Sequence, residues 1–270
     1  MDFLKPLAPV TFMRSIVRIL KARPQIPESL GDNALLAVLL NRRSVRSFQD
    51  RPIPDDVFAA ILEAGRVAPS TVNLQTWSFA TFTPAEWAAK FGRPLPFKAA
   101  RAVIILADAH RARRVLDVFP KSPLVEYTLA VMNASLAAMA MNVAAEALGV
   151  SSVMLSETGR SGFLDAGYLA AELRLPTGVT PLMTIVFGYG RGVHPPMPPK
   201  LPLSEITFTG EYREADEKVL QDWRDQMIAG YKASRPGASF EQQLALYRSK
   251  IGQAEQDLQE IVLGGGDETG

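Results

Sequence analysis

The chain has no cysteine and only two histidines among its 270 residues. The lack of cysteine excludes disulfides, thiolate nucleophiles, CxxC redox pairs and cysteine-ligated zinc. The two histidines, His110 and His194, have no neighbour at a metal-ligating spacing such as HExxH, so we expect neither a zinc hydrolase nor a metal site. Any redox chemistry in this protein therefore has to run through a bound cofactor.

An excess of charge of one sign is also missing, and so is an uninterrupted apolar run. The 29 Lys and Arg residues balance 28 Asp and Glu residues, so no broad field attracts nucleic acid or an anionic membrane. The longest apolar region, residues 127–150, contains Asn133, Asn142 and Glu146, which a bilayer would penalise. We interpret it as a buried helix and expect no integral membrane segment. The N-terminus has no secretory signal pattern, which favours a cytoplasmic protein.

Helical and strand patterns alternate along the chain. Alternating or β-branched runs predict strands at 77–82, 101–107, 150–155, 181–187 and, more weakly, 206–212. Helical patterns occur at 12–22, 33–41, 54–67, 125–148, 162–174, 214–234 and 239–262. The first helix is expected to pack on protein rather than on a membrane surface, and the second to be buried. This order is typical of α+β or α/β proteins, and the glycine-rich end at 264–270 is a predicted flexible tail.

Basic residues are concentrated in one short segment, RRSVR at residues 42–46. Arg42, Arg43, Ser44 and Arg46 place three guanidiniums and a hydroxyl at the end of a predicted helix, a density of donors suited to a phosphate. The alternative is that the arginines complement the negative end of that helix. These residues alone leave both interpretations open.

Two further segments carry polar groups. Residues 68–77 (APSTVNLQTW) are either a binding loop or an ordinary Ser/Asn turn with Trp77 in the core. Residues 198–203 (PPKLPL) hold Lys200 in a stiff extended stretch. The GYGRG run at 188–192 follows a strand, but prolines stand where a dinucleotide-binding helix would begin, so we exclude a Rossmann site. The sequence also lacks a GxSxG elbow and a P-loop.

Together these segments resemble the FMN-dependent nitroreductase family. The matching stretches are RRSVRSF at 42–48, APSTVNLQTW at 68–77, EALGVSSVMLSE at 146–157, and PLMTIVFGYG followed by PKLPL within 181–203. The resemblance covers residues 33–212 and implies an α+β fold with a central, mostly antiparallel sheet flanked by helices. Residues 1–32 would form an N-terminal arm, and residues 213–270 a C-terminal helical extension.

The resemblance also implies a homodimer that binds FMN at the subunit interface. NAD(P)H would give hydride to flavin N5, and a nitroaromatic, quinone or similar electron-poor small molecule would accept the electrons. Because the flavin carries the redox chemistry and protons can come from solvent, no catalytic acid or base is assigned. Reductive dehalogenation, ene reduction and flavin fragmentation on the same fold are alternatives. A non-catalytic flavin-binding interaction protein is another, suggested by the long charged helices after residue 213.

The phosphate end of FMN would be bound by residues from the basic segment. By position in the family, Arg42 and Ser44 would bind the phosphate together with Lys200, and Arg43 would contact it nearby. Arg46 would lie against the pyrimidine side of the isoalloxazine, where a cation stabilises the anionic reduced flavin.

The ring and ribityl chain would be contacted by two other segments. Pro69, Ser70 and Asn73 would come from the second subunit. Four residues at the end of the third strand would line the flavin face and offer N–H groups to N5 or O4: Met154, Leu155, Ser156 and Glu157. Thr76 stands where many members have proline, which we expect to alter the turn more than the chemistry. Trp87, Phe119 and Tyr127 are either pocket aromatics or core and interface residues.

Overall fold

The computed structural model describes residues 7–119, 121–157, 159–237 and 239–264. Contacts divide the chain into two units. The sheet unit contains Leu30–His194 and the described residues from Lys250 onward, and the arm unit contains the described residues up to Ser29 together with Pro195–Ser249. The three-part domain division stays a prediction. Apart from Gly264, the predicted tail lies outside the described residues.

Four strands form one sheet: β1 (Trp77–Phe82), β2 (Arg101–Asp108), β3 (Ser151–Leu155) and β4 (Val179–Gly188). Their order is β1-β2-β4-β3, and every neighbouring pair is antiparallel. β2 and β4 lie in the middle, where both faces are buried, and this explains their almost continuous apolar sequences. The four stronger strand predictions are confirmed, and so is the α+β fold with an antiparallel sheet.

The helices have the following bounds: α1 (Pro9–Lys21), α2 (Ala34–Asn41), α3 (Asp55–Arg66), α4 (Pro84–Phe91), α5 (His110–Arg113), α6 (Pro123–Ala147), α7 (Ala166–Leu173), α8 (Leu203–Ile206), α9 (Glu217–Ser234) and α10 (Phe240–Leu263). Helices α2 to α7 belong to the sheet unit, and α1, α8 and α9 belong to the arm unit. The first half of α10 belongs to the arm unit, and its second half belongs to the sheet unit.

Helices cover both faces of the sheet. α3 and α6 pack on one face, where Met141 of α6 meets Ile105 and Ile185 of the strands. A Cβ on Gly65 would lie 2.2 Å from the Cε of Met141, so α3 can approach α6 only with glycine at this position. α4 and α7 cover the other face. Trp87 of α4 is fully buried there, which makes it a core residue.

α6 is the central helix of the sheet unit. By length and composition it is also the helix, among the described residues, that could cross a membrane. Its polar residues Asn133 and Asn142 are buried, and the helix packs against α3 and the sheet. The prediction of a buried core helix is therefore confirmed. The opposite side of α6 exposes Met132, Leu136 and Met139.

The arm unit is built on the packing of α1 against α9. Ile19 is buried, and its Cδ1 lies 3.3 Å from the position that a Cβ on Gly230 would occupy. Arg18 forms an ion pair with Asp222 across the two helices. As expected, α1 packs on protein.

Two local predictions are wrong. Residues 207–212 form no strand, because Thr207 closes the short α8 by donating to the Leu203 carbonyl and Phe208 stacks on Tyr212 instead of pairing with a strand. α2 is not buried either: Leu35 is 63% exposed. Its apolar sequence indicated burial, but α2 contacts α6, and the described residues bury none of its side chains.

Candidate functional site

The basic segment runs along the outer edge of the sheet, beside β3. The backbone N–H of Val45 donates to the Ser152 carbonyl at 3.0 Å, and Ser44 forms a parallel bridge with Ser152. Farther along, Phe48 is bridged to Gly190 beyond the end of β4. These main-chain bonds fix the position of the arginines. They therefore place the segment against the first half of β3.

The four predicted FMN-binding residues of this segment differ in their surroundings. The Nη1 of Arg43 donates to the carbonyls of Leu40 (2.8 Å) and Arg42 (2.9 Å), and the side chain is buried. Arg43 therefore closes the C-terminal end of α2, as in the alternative interpretation. Arg42 and Ser44 are half-buried, and Arg46 is exposed. The charged groups that face outward belong to Arg42 and Arg46.

A carboxylate lies close to these cations. Burial raises the pKa of the Glu146 carboxyl, and the positive charges of His194, Arg42 and Arg43 act against that increase. His194 is held near by a 2.8 Å bond between its Nε2 and the Asn41 carbonyl. Glu146 is therefore part of the electrostatics of the basic segment.

The second half of β3 leads into a tightly folded loop. Leu155 is a core residue, so only its main chain is open to a ligand, whereas Met154, Ser156 and Glu157 are half-buried. The Ser156 carbonyl accepts a bond from the Leu164 N–H at 3.3 Å. A Cβ on Gly162 would lie 2.4 Å from the Ser156 Cα, so glycine is required where the loop folds back.

The loop before β1 has a strained backbone. Val72, Asn73 and Gln75 have φ values of 39°, 59° and 49°, a left-handed region that costs energy for residues other than glycine and is worst for a β-branched one. Such strain persists only where the surroundings impose it, and it is concentrated at functional sites. Val72 is also 81% exposed.

Buried polar groups impose this conformation. The Asn133 Oδ1 on α6 accepts from the Thr71 N–H at 3.0 Å, and its Nδ2 donates to the Thr76 Oγ1 at 2.8 Å. The Gln75 N–H donates to the Ser70 Oγ at 3.1 Å. Thr76, where the family commonly has proline, is fully buried and holds the loop to α6.

Within the sheet unit the predicted site residues form two separate groups. Asn133 anchors the 70–76 loop, whereas the Asn142 Nδ2 donates to the Ser152 Oγ at the start of β3. The two asparagines are nine residues apart on α6, about 13 Å along the helix axis. The structure therefore brings residues 42–46 together with β3 and leaves Pro69, Ser70 and Asn73 elsewhere. Lys200 lies in the arm unit, where it is exposed.

A cavity of about 560 Å³ opens beside the strained loop. Its lining combines polar side chains with apolar ones: Arg66, Asn73, Gln75, Ser78, Arg111, Leu74, Trp77, Phe79, Ala112, Val115 and Leu116. The volume is in the range of small-molecule sites. Among the described residues, no group of three or more His, Asp or Glu side chains is placed to hold a metal ion. Phe119 packs against the core, and Tyr127 is half-buried beside α10.

The residues that hold these groups in place are not recognisable as site residues from the sequence. Asn133, Asn142 and Glu146 stand out there only as polar groups in a long apolar helix. The sequence gives one signal of their role. Two asparagines in an apolar helix need buried hydrogen-bond partners. The identity of those partners depends on contacts far along the chain.

The donor chemistry of the sheet edge fits a phosphate-bearing flavin. The Arg42 guanidinium and the Ser44 hydroxyl suit a phosphate, and the Arg46 guanidinium suits the carbonyl side of a flat heterocycle. The peptide groups after β3 suit the carbonyl and ring nitrogens of the same heterocycle. The fold and this edge thus define an α+β protein that can hold such a cofactor beside β3.

Comparison with known proteins identifies the family within this class of α+β proteins. Residues 39–95 and 88–189, more than half of the chain, match the Nitroreductase family. The oxygen-insensitive NADPH nitroreductase of Salmonella typhimurium is 25% identical over 205 residues, which cover 74% of this chain and 83% of that protein. The FMN reductase (NAD(P)H) of Bacillus subtilis is 26% identical over 208 residues, covering 72% and 82%. The chain belongs to the nitroreductase family.

Solved structures agree on the fold. The structure of the hypothetical oxidoreductase YcnD from Bacillus subtilis superposes with a TM-score of 0.70 and 23% identity, and the match covers 87% of this chain and 98% of that one. The resemblance inferred from the sequence segments is therefore confirmed at the level of family and fold.

Proposed function

We propose that this protein is an NAD(P)H-dependent oxidoreductase that binds FMN and reduces nitroaromatics, quinones or related electron-poor small molecules. Its membership of the nitroreductase family carries the proposal, since relatives of similar length are named NADPH nitroreductase and FMN reductase. When bound, FMN supplies hydride acceptance at N5 and electron transfer to the acceptor. The residues of this chain bind and orient it.

Different residues at the sheet edge bind the phosphate and the ring of FMN. Arg42 and Ser44 bind the phosphate, with Lys200 as a further cation assigned by the resemblance, while Arg43 shapes the site from the end of α2. Arg46 faces the pyrimidine side, where its positive charge stabilises the reduced, anionic state. Met154 and the main chain of Leu155, Ser156 and Glu157 face the ring.

We also propose a homodimer, in which Pro69, Ser70 and Asn73 reach the flavin bound by the other subunit. Exposed apolar side chains on two contacting helices support it: Leu35 and Leu39 of α2, with Met132, Leu136 and Met139 of α6. Patches of this kind on one face mark interaction surfaces. A two-fold pairing through them would use the same surface on both subunits.

The absorption spectrum of the purified protein tests the proposal most directly. We expect a yellow protein whose flavin band bleaches on anaerobic titration with NADH or NADPH and returns when a quinone is added. Bleaching by neither nucleotide would reject the oxidoreductase and leave a flavin-binding interaction protein.

Substitution of the phosphate ligands tests the binding mode. Each charge-assisted bond contributes about 1.5 to 3 kcal/mol, so Arg42→Ala is expected to raise the Kd for FMN about ten- to a hundredfold. The double variant with Lys200→Ala is expected to purify colourless. Lys90→Ala, an exposed cation on α4, is the control. Full FMN occupancy in the double variant refutes the assignment.

A further inference from the structure

The second half of α10 presents one face to the rest of the sheet unit. Lys250, Ala254, Asp257 and Ile261 follow one another at intervals of three or four residues and therefore share that face. Ala254 is 2% exposed. Ile261 lines a small cavity together with residues of β2, β4 and α6. This half of the helix is thus packed onto the sheet unit.

Lys250 reaches two carboxylates of the segment that follows β3. Its Nζ lies 3.3 Å from the Glu157 Oε1 and 3.8 Å from the Asp165 Oδ2. Burial raises the pKa of the Asp165 carboxyl; the charges of Lys250, Arg160 and Arg93 oppose that increase, and Glu157 adds to it. Lys250 therefore holds together two carboxylates that would otherwise repel each other.

Asp257, about two turns farther along α10, binds the same segment. Its Oδ2 accepts a hydrogen bond from the Gly167 N–H at 3.0 Å, in the first turn of α7. A Cβ on Gly167 would lie 2.8 Å from that oxygen, so an alanine here would force the Asp257 carboxylate to shift. A carboxylate is also favoured at the positive end of a helix. Lys250 and Asp257 together contact Glu157, Asp165 and Gly167, which lie on both sides of the 159–164 loop.

We propose that Lys250 and Asp257 are positioning residues, through which the second half of α10 fixes the conformation of residues 156–157 and 159–167. This rests on the proposed function, in which the main chain of Ser156 and Glu157 faces flavin N5 and O4. N–H groups held in place stabilise the charge that builds up on reduction. When the segment loosens, FMN binds less tightly and its reduction potential falls, while the sheet and its two cores stay folded.

Two independent substitutions test this role. Lys250→Met removes the charge at nearly constant length, and Gly167→Ala displaces the Asp257 carboxylate without changing α10. Hydrogen exchange of peptides covering residues 156–167 is measured on the full chain without FMN. The Kd for FMN and the midpoint potential of bound FMN are measured on the same variants. A charge-assisted bond corresponds to about a tenfold change in an equilibrium.

We expect both variants to exchange about tenfold faster across residues 156–167, to raise the Kd for FMN about tenfold and to shift the potential to more negative values. Lys250→Arg restores the wild-type values. Arg248→Met, an exposed cation on the same helix, leaves them unchanged. If Lys250→Met does not fold, the exchange rate, Kd and potential of Gly167→Ala alone test the inference.

Three outcomes overturn the inference: wild-type exchange in the variants, faster exchange without a change in Kd or potential, and equal effects from Arg248→Met. Failure of the proposed function is visible separately, because the wild-type chain would then bind no FMN at all. A wild-type protein that binds FMN, with variants that match it, contradicts only the role of α10.

Discussion

At the scale of single residues, Glu146 is a carboxylate that interacts electrostatically with the basic segment. Its Oε2 is buried and accepts no hydrogen bond from the described part of the chain. Burial raises the pKa of the Glu146 carboxyl, despite the opposing charges of His194, Arg42 and Arg43. In the folded protein its proton is therefore held more tightly than in the unfolded chain, whose carboxyl titrates at its ordinary value.

This shift predicts how Glu146→Gln changes stability with pH. A raised pKa in the folded state favours the protonated form, so stability is lost as pH rises through the folded pKa. The glutamine variant avoids that loss. We expect it to be more stable than wild type at pH 7 and equally stable at a pH below the ordinary carboxyl value, as measured by urea unfolding over this range.

The same variant bears on the cofactor. With one negative charge fewer beside Arg42, Glu146→Gln is expected to bind FMN more tightly at pH 7. Glu260→Gln, an exposed carboxyl on α10, should change neither stability nor affinity. A loss of stability at pH 7 in Glu146→Gln would show that attraction to the arginines outweighs burial.

At the scale of elements, the 70–76 loop is a strained turn that α6 holds in place. Asn133→Ala removes the acceptor for Thr71 and the donor for Thr76, and the buried groups left without a partner cost about 1 to 3 kcal/mol. Thr76→Val removes one hydroxyl and keeps the Thr71 bond. We expect Asn133→Ala to lose more stability in denaturant unfolding and to bind FMN less tightly than Thr76→Val. Equal losses would mean that Thr71 contributes nothing to the loop.

The elements that sequence predicted correctly are those whose burial shows in a local pattern. β1 and β2 were placed within a residue because side chains alternate or stay apolar over their whole length. The strand prediction for 206–212 was wrong because a strand needs a neighbouring strand to which its main chain can hydrogen-bond. The sequence of seven residues does not show whether such a neighbour exists. Here the rings of Phe208 and Tyr212, four residues apart, pack edge to face against each other.

The candidate site follows the same physical rule. The donors of residues 42–46 were visible because they are consecutive. Asn133 and Lys250 were not, because their partners lie 62 residues away at Thr71 and 93 residues away at Glu157. The charge of a lysine or the amide of an asparagine does not by itself identify a partner that lies far along the chain. Arg43 shows the reverse case, in which a residue of the right type is used to close its own helix.

At the scale of the whole molecule, the exposed apolar side chains of α2 and α6 need an explanation. Leu35 on α2 and Leu136 on α6 are 63% and 47% exposed, on helices that contact each other. Within a monomer these side chains would leave apolar surface in water, at a cost of about 25 cal/mol per Å². In the proposed homodimer a second copy covers the patch and removes this cost.

The proposed dimer can be tested without changing any proposed flavin ligand. Leu136→Arg with Met139→Glu places charges on the exposed side of α6, where the proposed pairing would bury them. We expect a monomer by analytical ultracentrifugation, with FMN lost in proportion, since the proposal places Asn73 at the flavin of the other subunit. Leu246→Arg, an equally exposed leucine on α10, should stay dimeric and yellow. If the α6 variant is monomeric yet binds FMN as tightly as wild type, Pro69, Ser70 and Asn73 do not complete the site of the other subunit.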